Sequence, residues 1–212
     1  RGSVDIDEAM AVAIDAQVEF NDDDLALLAT FPAGSVQYLM VGGTQVTLDG
    51  LAQLRDIGGL RKLSFAEGQY DDTLIAHLEP LAGIEHLNLM SVALTDAGLS
   101  RLAKLPALRE LVLDSPAELT HRAYHQLAQM PQLEMLLLRG LDANDVAVDQ
   151  ITRLPQLRHL WIGGHAVTDG AVPRLAEMQS LESLVLLQTS VTPDGRRMLE
   201  RSLPDCNVDT VS

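Results

Sequence analysis

The chain has 212 residues, 47% of them hydrophobic and only 3% aromatic, so it carries enough apolar mass for a packed core and builds that core from aliphatic side chains. Fifteen Lys and Arg stand against 30 Asp and Glu, and the resulting charge of -15 repels phosphate backbones and anionic lipid, which sets aside nucleic acid and membrane surface as partners. One cysteine, Cys206, closes no intrachain disulfide, and no apolar run approaches the roughly 18 to 20 residues of a membrane span.

The chain opens Arg1-Gly2-Ser3 without an initiator methionine. A cytoplasmic location is the expectation from its single cysteine, with secretion left open by the missing start. Residues 1–35 are strongly acidic: Asp5, Asp7, Glu8, Asp15, Glu19, Asp22, Asp23 and Asp24 against Arg1 give -7. They read as an N-terminal cap, with a helix over 6–17 and a second over 24–31, where Leu25, Leu28 and Phe31 repeat the spacing of Leu51, Leu54 and Ile57. The alternation of Met10, Val12, Ile14, Ala16, Val18 and Phe20 offers a strand in place of the first helix. Asn21-Asp22-Asp23-Asp24 lacks the Gly and distal Glu of a calcium loop and reads as a helix start.

From Val36 onward the chain repeats. An apolar-x-x-apolar-x-apolar segment starts at 36, 60, 84, 108, 133, 157 and 181, so the spacings are 24, 24, 24, 25, 24 and 24. Seven units cover 36–205, and 206–212 reads as a terminal strand and tail. Within a unit, positions four and six alternate as in a strand, and then residues such as Leu99, Leu102 and Leu105 recur at helical spacing. Thr95-Asp96, Thr168-Asp169 and Thr192-Pro193-Asp194 mark helix starts, where a Thr hydroxyl satisfies orphan amides and a carboxylate favours the positive end of the helix dipole. Pro106, Pro131, Pro155 and Pro204 stop the helices before the next strand. The unit with an extra residue near Ser115-Pro116-Ala117 and the unit with Asn144-Asp145 for Thr-Asp are expected to be irregular.

Leu94-Thr95-Asp96-Ala97-Gly98-Leu99 and Val167-Thr168-Asp169-Gly170, with the ending Leu203-Pro204-Asp205-Cys206-Asn207-Val208, resemble the bacterial leucine-rich repeats of about 24 residues. The resemblance covers about four fifths of the chain and implies an α/β solenoid: a right-handed horseshoe arc with a parallel sheet on the concave face and helices on the convex face. It implies a scaffold for binding, without naming a partner. Many leucine-rich repeats carry Asn at position nine as a turn ladder. Here that position holds Thr44, Gly68, Val92, Leu141, His165 and Thr189, so the turns must be satisfied differently.

In such a solenoid positions one, four and six face the core, and three, five and seven face outward on the concave sheet. The later units then set Val112, Met135, Leu137, Trp161, Val185 and Leu187 side by side, ringed by His159, Arg139, Glu110 and Asp114. An apolar centre with a polar rim is the anatomy of an interface, and these ten residues are the expected contact surface for a protein partner. Enzyme signals are poor, so no catalytic residue, metal ligand or cofactor is expected. His121 and His125 share a helix face but lack the Glu of a metalloprotease motif, and His86 and His159 lie three units apart. Cys206 sits at an apolar position and reads as packing. The expected function is non-enzymatic protein binding through the concave face. The alternatives are an acidic inhibitor or immunity protein that neutralises a basic enzyme or toxin, and a structural or oligomerisation fragment of a larger protein.

Overall fold

The computed structural model describes residues 12–16, 20–42, 45–66, 70–90, 92–114 and 119–211. The principal strands are β1 (Val12–Ala16), β2 (Val36–Gly42), β3 (Lys62–Ala66), β5 (His86–Met90), β7 (Glu110–Asp114), β8 (Met135–Arg139), β9 (His159–Gly163), β10 (Ser183–Leu187) and β11 (Asn207–Val211). Among the described residues they form one nine-stranded sheet in chain order, parallel at every pairing. Two short strands, β4 (Tyr70–Asp71) and β6 (Val92–Ala93), pair beside it. The helices between strands are α1 (Asp22–Leu28), α2 (Leu48–Leu51), α3 (Asp72–Leu78), α4 (Asp96–Leu102), α5 (Arg122–Leu127), α6 (Asp145–Ile151), α7 (Val172–Leu175) and α8 (Pro193–Ser202).

The repeat register survives residue by residue. Tyr38 faces Lys62, Lys62 faces His86 and His86 faces Glu110, each 24 residues apart. The offset becomes 25 between Glu110 and Met135, then returns to 24. The added residue is therefore absorbed between β7 and β8; residues 115–118, on which it falls, lie outside the described residues.

Helices of four to ten residues are too short to hold alone in water, so each depends on the stripe it buries. Positions one, four and six of all seven units are buried, from Val36, Leu39 and Val41 to Leu181, Leu184 and Leu186. Leu74, Ile75 and Leu78 of α3, or Leu99 and Leu102 of α4, meet them from the helix side. One continuous core runs from Leu25 to Val208. Tyr70 and Tyr124 enter it because their hydroxyls donate to the carbonyls of Val46 and Leu141; burial raises the pKa of both phenols.

The Thr-Asp pair does more than start a helix. Asp22, Asp72, Asp96, Asp145 and Asp169 each accept the backbone N–H and the hydroxyl of the Thr that opens the next helix: Thr47, Thr95, Thr120, Thr168 and Thr192 respectively. Each Thr oxygen then accepts an amide two or three residues further on, from Gly50, Ala97, Arg122, Gly170 or Gly195. A hydroxyl can donate sideways and accept upward through one atom, whereas an ionised Asp cap has no donor and an Asn cap must donate through its separate NH₂. The ladder stops where the residue after the cap is Leu48 or His121, and there the following cap is Asp71 or Asn144, bonded within its own helix. Asn144 caps α6 by accepting the Ala147 N–H, so the helix start of that unit is capped but irregular in lacking the Asp–Thr bond.

The ladder also accounts for a glycine three residues after Thr47, Thr95 and Thr192. A Cβ at Gly50 would lie 1.9 Å from Asp22 Oδ1, one at Gly98 2.1 Å from Asp72 Oδ1, and one at Gly195 2.2 Å from Asp169 Oδ1. The carboxylate of one unit occupies the space a side chain of the next would need.

Two expectations for the N-terminal region change. Residues 12–16 are strand rather than helix: β1 lies parallel to β2 and extends the sheet, so the alternation of Val12, Ile14 and Ala16 prevails over the helical reading. The rest of the proposed helix over 6–17 lies outside the described residues. The second helix is confirmed as α1, with Leu25 and Leu28 buried and the Asn21–Asp24 segment forming its capping box, but it ends before Phe31, whose ring is exposed.

Candidate functional site

The concave face is built from three columns of outward side chains that run across the strands. Column five reads Met40, Ser64, Asn88, Val112, Leu137, Trp161, Val185 and Asp209, each in register with the next. Trp161 stands between Leu160 and Ile162, both fully buried, and is itself half-buried and outside the core. Strand parity therefore turns its ring onto the open face, with Leu137 and Val185 as lateral neighbours. Val112, Met135, Leu137 and Leu187 are half-buried beside it.

Val185 departs from expectation. At 6% it is buried, although it lies outside the main core. Trp161 on one side and the added strand β11, through Asp209, on the other close over a short β-branched side chain. It supports the apolar row from below rather than offering contact area.

The polar ring is partly self-satisfied. Arg139 pairs with Asp114 at 3.3 Å, His86 Nδ1 lies against the Glu110 carboxylate, and His159 lies 3.9 Å from Glu182. Just before the strands a second row alternates in sign, Arg61–Glu85, Arg109–Glu134 and Arg158–Glu182, each pair bridging adjacent units. The hydrogen bond from Arg158 holds the Glu182 carboxyl below the usual carboxylate range and raises the guanidinium in turn.

Two depressions interrupt the face. The first, about 380 Å³, is lined by Tyr38, Lys62, Ser64, His86, Asn88, Glu110, Val112 and Met135, with Leu63 and Leu87 at its floor. The second, about 340 Å³, lies at the carboxyl ends of the later strands, among Asp114, Arg139, Asp142, Gly163, Leu187, Gln188 and Val211. The ten expected residues are thus divided. Glu110, Val112 and Met135 line the first depression, Asp114, Arg139 and Leu187 the second, and His159, Leu137, Trp161 and Val185 form the ridge between. Sequence reasoning missed the polar contributors Tyr38, Lys62, Ser64 and Asn88. The signal was there: short Ser64 and Asn88 follow Met40 in a column that turns bulky only at Val112.

No group of three or more His, Cys, Asp or Glu among the described residues could hold a metal. His125 is exposed on α5 and His121 is exposed just before its first residue. Cys206 is half-buried rather than fully buried, it packs against the core, and burial pushes its thiol pKa up, away from the thiolate a nucleophile needs. Among the described residues no helix is long and apolar enough to cross a membrane.

No family model matches the sequence, and no curated protein matches it. The fold does have solved counterparts. An internalin of Listeria monocytogenes superposes with a TM-score of 0.61 at 20% identity, covering 82% of this chain and 47% of that one. Internalin C2 of the same organism gives 0.58 at 18%, covering 90% and 84%. A leucine-rich-repeat protein of Leptospira interrogans gives 0.53 at 19%, covering 82% and 49%. The chain spans about half the length of the first and third of these. At such identities the likeness speaks for architecture, and that architecture is the leucine-rich-repeat solenoid of the α/β class.

Proposed function

We propose that the protein is a non-enzymatic binding module that engages another protein through its concave face. The observation that carries the reading is the position of Trp161: a large aromatic, held out of the core by strand parity, in a row with Val112 and Leu137 and flanked by two depressions. A half-buried aromatic on a stiff sheet costs little ordering entropy when a partner covers it, which is how central anchors come to dominate binding energy. Contact residues are Val112, Met135, Leu137, Trp161 and Leu187, rimmed by Glu110, Asp114, Arg139 and His159, with Val185 as their support.

The test is affinity capture from host lysate with wild type and Trp161→Ala in parallel, followed by titration of each recovered protein. A partner that binds wild type and is lost by the variant at unchanged thermal stability supports the reading. Partners retained equally by both move the function off this face.

The charge of -15 favours a second, narrower reading, an acidic neutraliser of a basic enzyme. A field of that sign speeds encounter with a cationic protein, so the association rate would fall steeply with salt. A contact anchored mainly on Trp161 would change little.

A further inference from the structure

We propose that the depression around Lys62 receives a carboxylate side chain, Asp or Glu, of the protein bound on the concave face; this rests on the binding reading above and names the chemistry of one contact. Lys62 is exposed and has no carboxylate within ion-pair distance among the described residues, in a chain with twice as many acids as bases. The nearby acid on its own column, Glu110, is engaged by His86, which stands between them in register. Arg139, another cation of this face, is taken by Asp114. Among the described residues Lys62 is therefore a cation without an acidic partner.

Apart from Glu110, which lies against His86, the polar groups around it can donate. Asn88 Oδ1 already accepts the Met90 N–H, which leaves its amide NH₂ to face the depression. Tyr38 and Ser64 contribute hydroxyls, and Ser64 is a buried polar side chain in the wall. An ammonium with an amide and two hydroxyls suits an oxygen anion, and a charge-assisted bond gains strength where the surrounding wall is partly apolar. The depression exists because Ser64 and Asn88 are short between Met40 and Val112, so a side chain of Asp or Glu size has room to enter. The net charge of the protein opposes an acidic partner at long range, but beyond about 8 Å that field is screened at physiological salt, and contact is decided locally.

The probe is a phage-displayed library of random dodecapeptides selected in parallel on wild type, Lys62→Gln and Trp161→Ala, with the enriched peptides then titrated in solution. We expect wild type to enrich peptides with an essential Asp or Glu. Their affinity should fall about tenfold or more in Lys62→Gln, stay within about threefold in Lys62→Arg, and fall no further when the peptide acid is also changed to its amide. Peptides lost in Trp161→Ala but bound equally by Lys62→Gln would overturn the carboxylate pocket while leaving the concave-face reading intact. Selection of the same sequences by all three proteins, or enrichment by none, would overturn both. Lys62 is exposed, so thermal melts of its variants should match wild type.

Discussion

Asp145 accepts two hydrogen bonds from Thr168 of the following unit, one from the amide and one from the hydroxyl, both 2.7 Å long. The contact joins the first residue of α6 to the turn that leads into α7, and its counterparts recur at four other joints. Hydrogen bonds to a charged acceptor are worth about 1.5–3 kcal/mol, less where water competes. Asp145→Ala and Thr168→Ala should each lower stability by about 1–3 kcal/mol in urea titration. The double variant should cost well under the sum, because the two changes remove one shared contact. Additive losses would mean that the bond contributes nothing of its own.

Gly50→Ala tests why glycine follows the cap. In an ordinary helix the change would stabilise by about 0.5–1 kcal/mol, since glycine carries the larger backbone entropy. Here the new methyl meets Asp22, which Thr47 holds in place, so the variant should be less stable than wild type. In an Asp22→Ala background the same substitution should become neutral or stabilising. That reversal of sign, read from thermal midpoints, is the result to look for.

Trp161 is the single tryptophan of the chain, so its fluorescence reports the concave face without labelling. Acrylamide should quench the free protein, and a bound partner should protect it. Trp161→Ala should change stability by no more than about 1 kcal/mol while weakening partner binding by about 2 kcal/mol or more. A large loss of stability would mean that the ring supports the core after all.

Asp71 links one local contact to pH. The Thr73 hydroxyl and amide both donate to its carboxylate and hold its pKa below the usual range. A carboxylate whose folded pKa is depressed contributes stability above its unfolded pKa and loses it as pH falls through the folded value. Asp71→Asn removes that titration but keeps an acceptor oxygen, so its thermal midpoint should fall less steeply than that of wild type between about pH 5 and pH 2. Parallel curves for the two proteins would contradict the link.

The solenoid was legible because its register is written twice. Apolar residues at positions one, four and six set the core, and equal unit lengths force like positions to face one another, so the column Val112, Leu137, Trp161 could be assembled on paper. Side-chain parity also placed Trp161 correctly. What escaped were facts that depend on neighbours across units. Val185 has the right parity but is covered by Trp161 and β11, and no single unit contains that information. The Lys62 depression is an absence of bulk at Ser64 and Asn88, visible only once adjoining columns are compared. In residues 12–16 two periodicities compete over a short stretch, and the open edge of the sheet at β2 gave the strand a partner that the helix would not have had.

The two breaks in the Asp–Thr ladder divide the convex side into blocks: α1 with α2, α3 through α5, and α6 through α8. In a linear array each joint contributes its own coupling, and partial opening begins where coupling is weakest. The α2/α3 and α5/α6 joints lack the Asp–Thr bond but carry another, since the buried hydroxyls of Tyr70 and Tyr124 donate across them to the carbonyls of Val46 and Leu141. A phenol thus stands in where the carboxylate is missing, and the missing Asp–Thr bonds leave no open seam on the convex side.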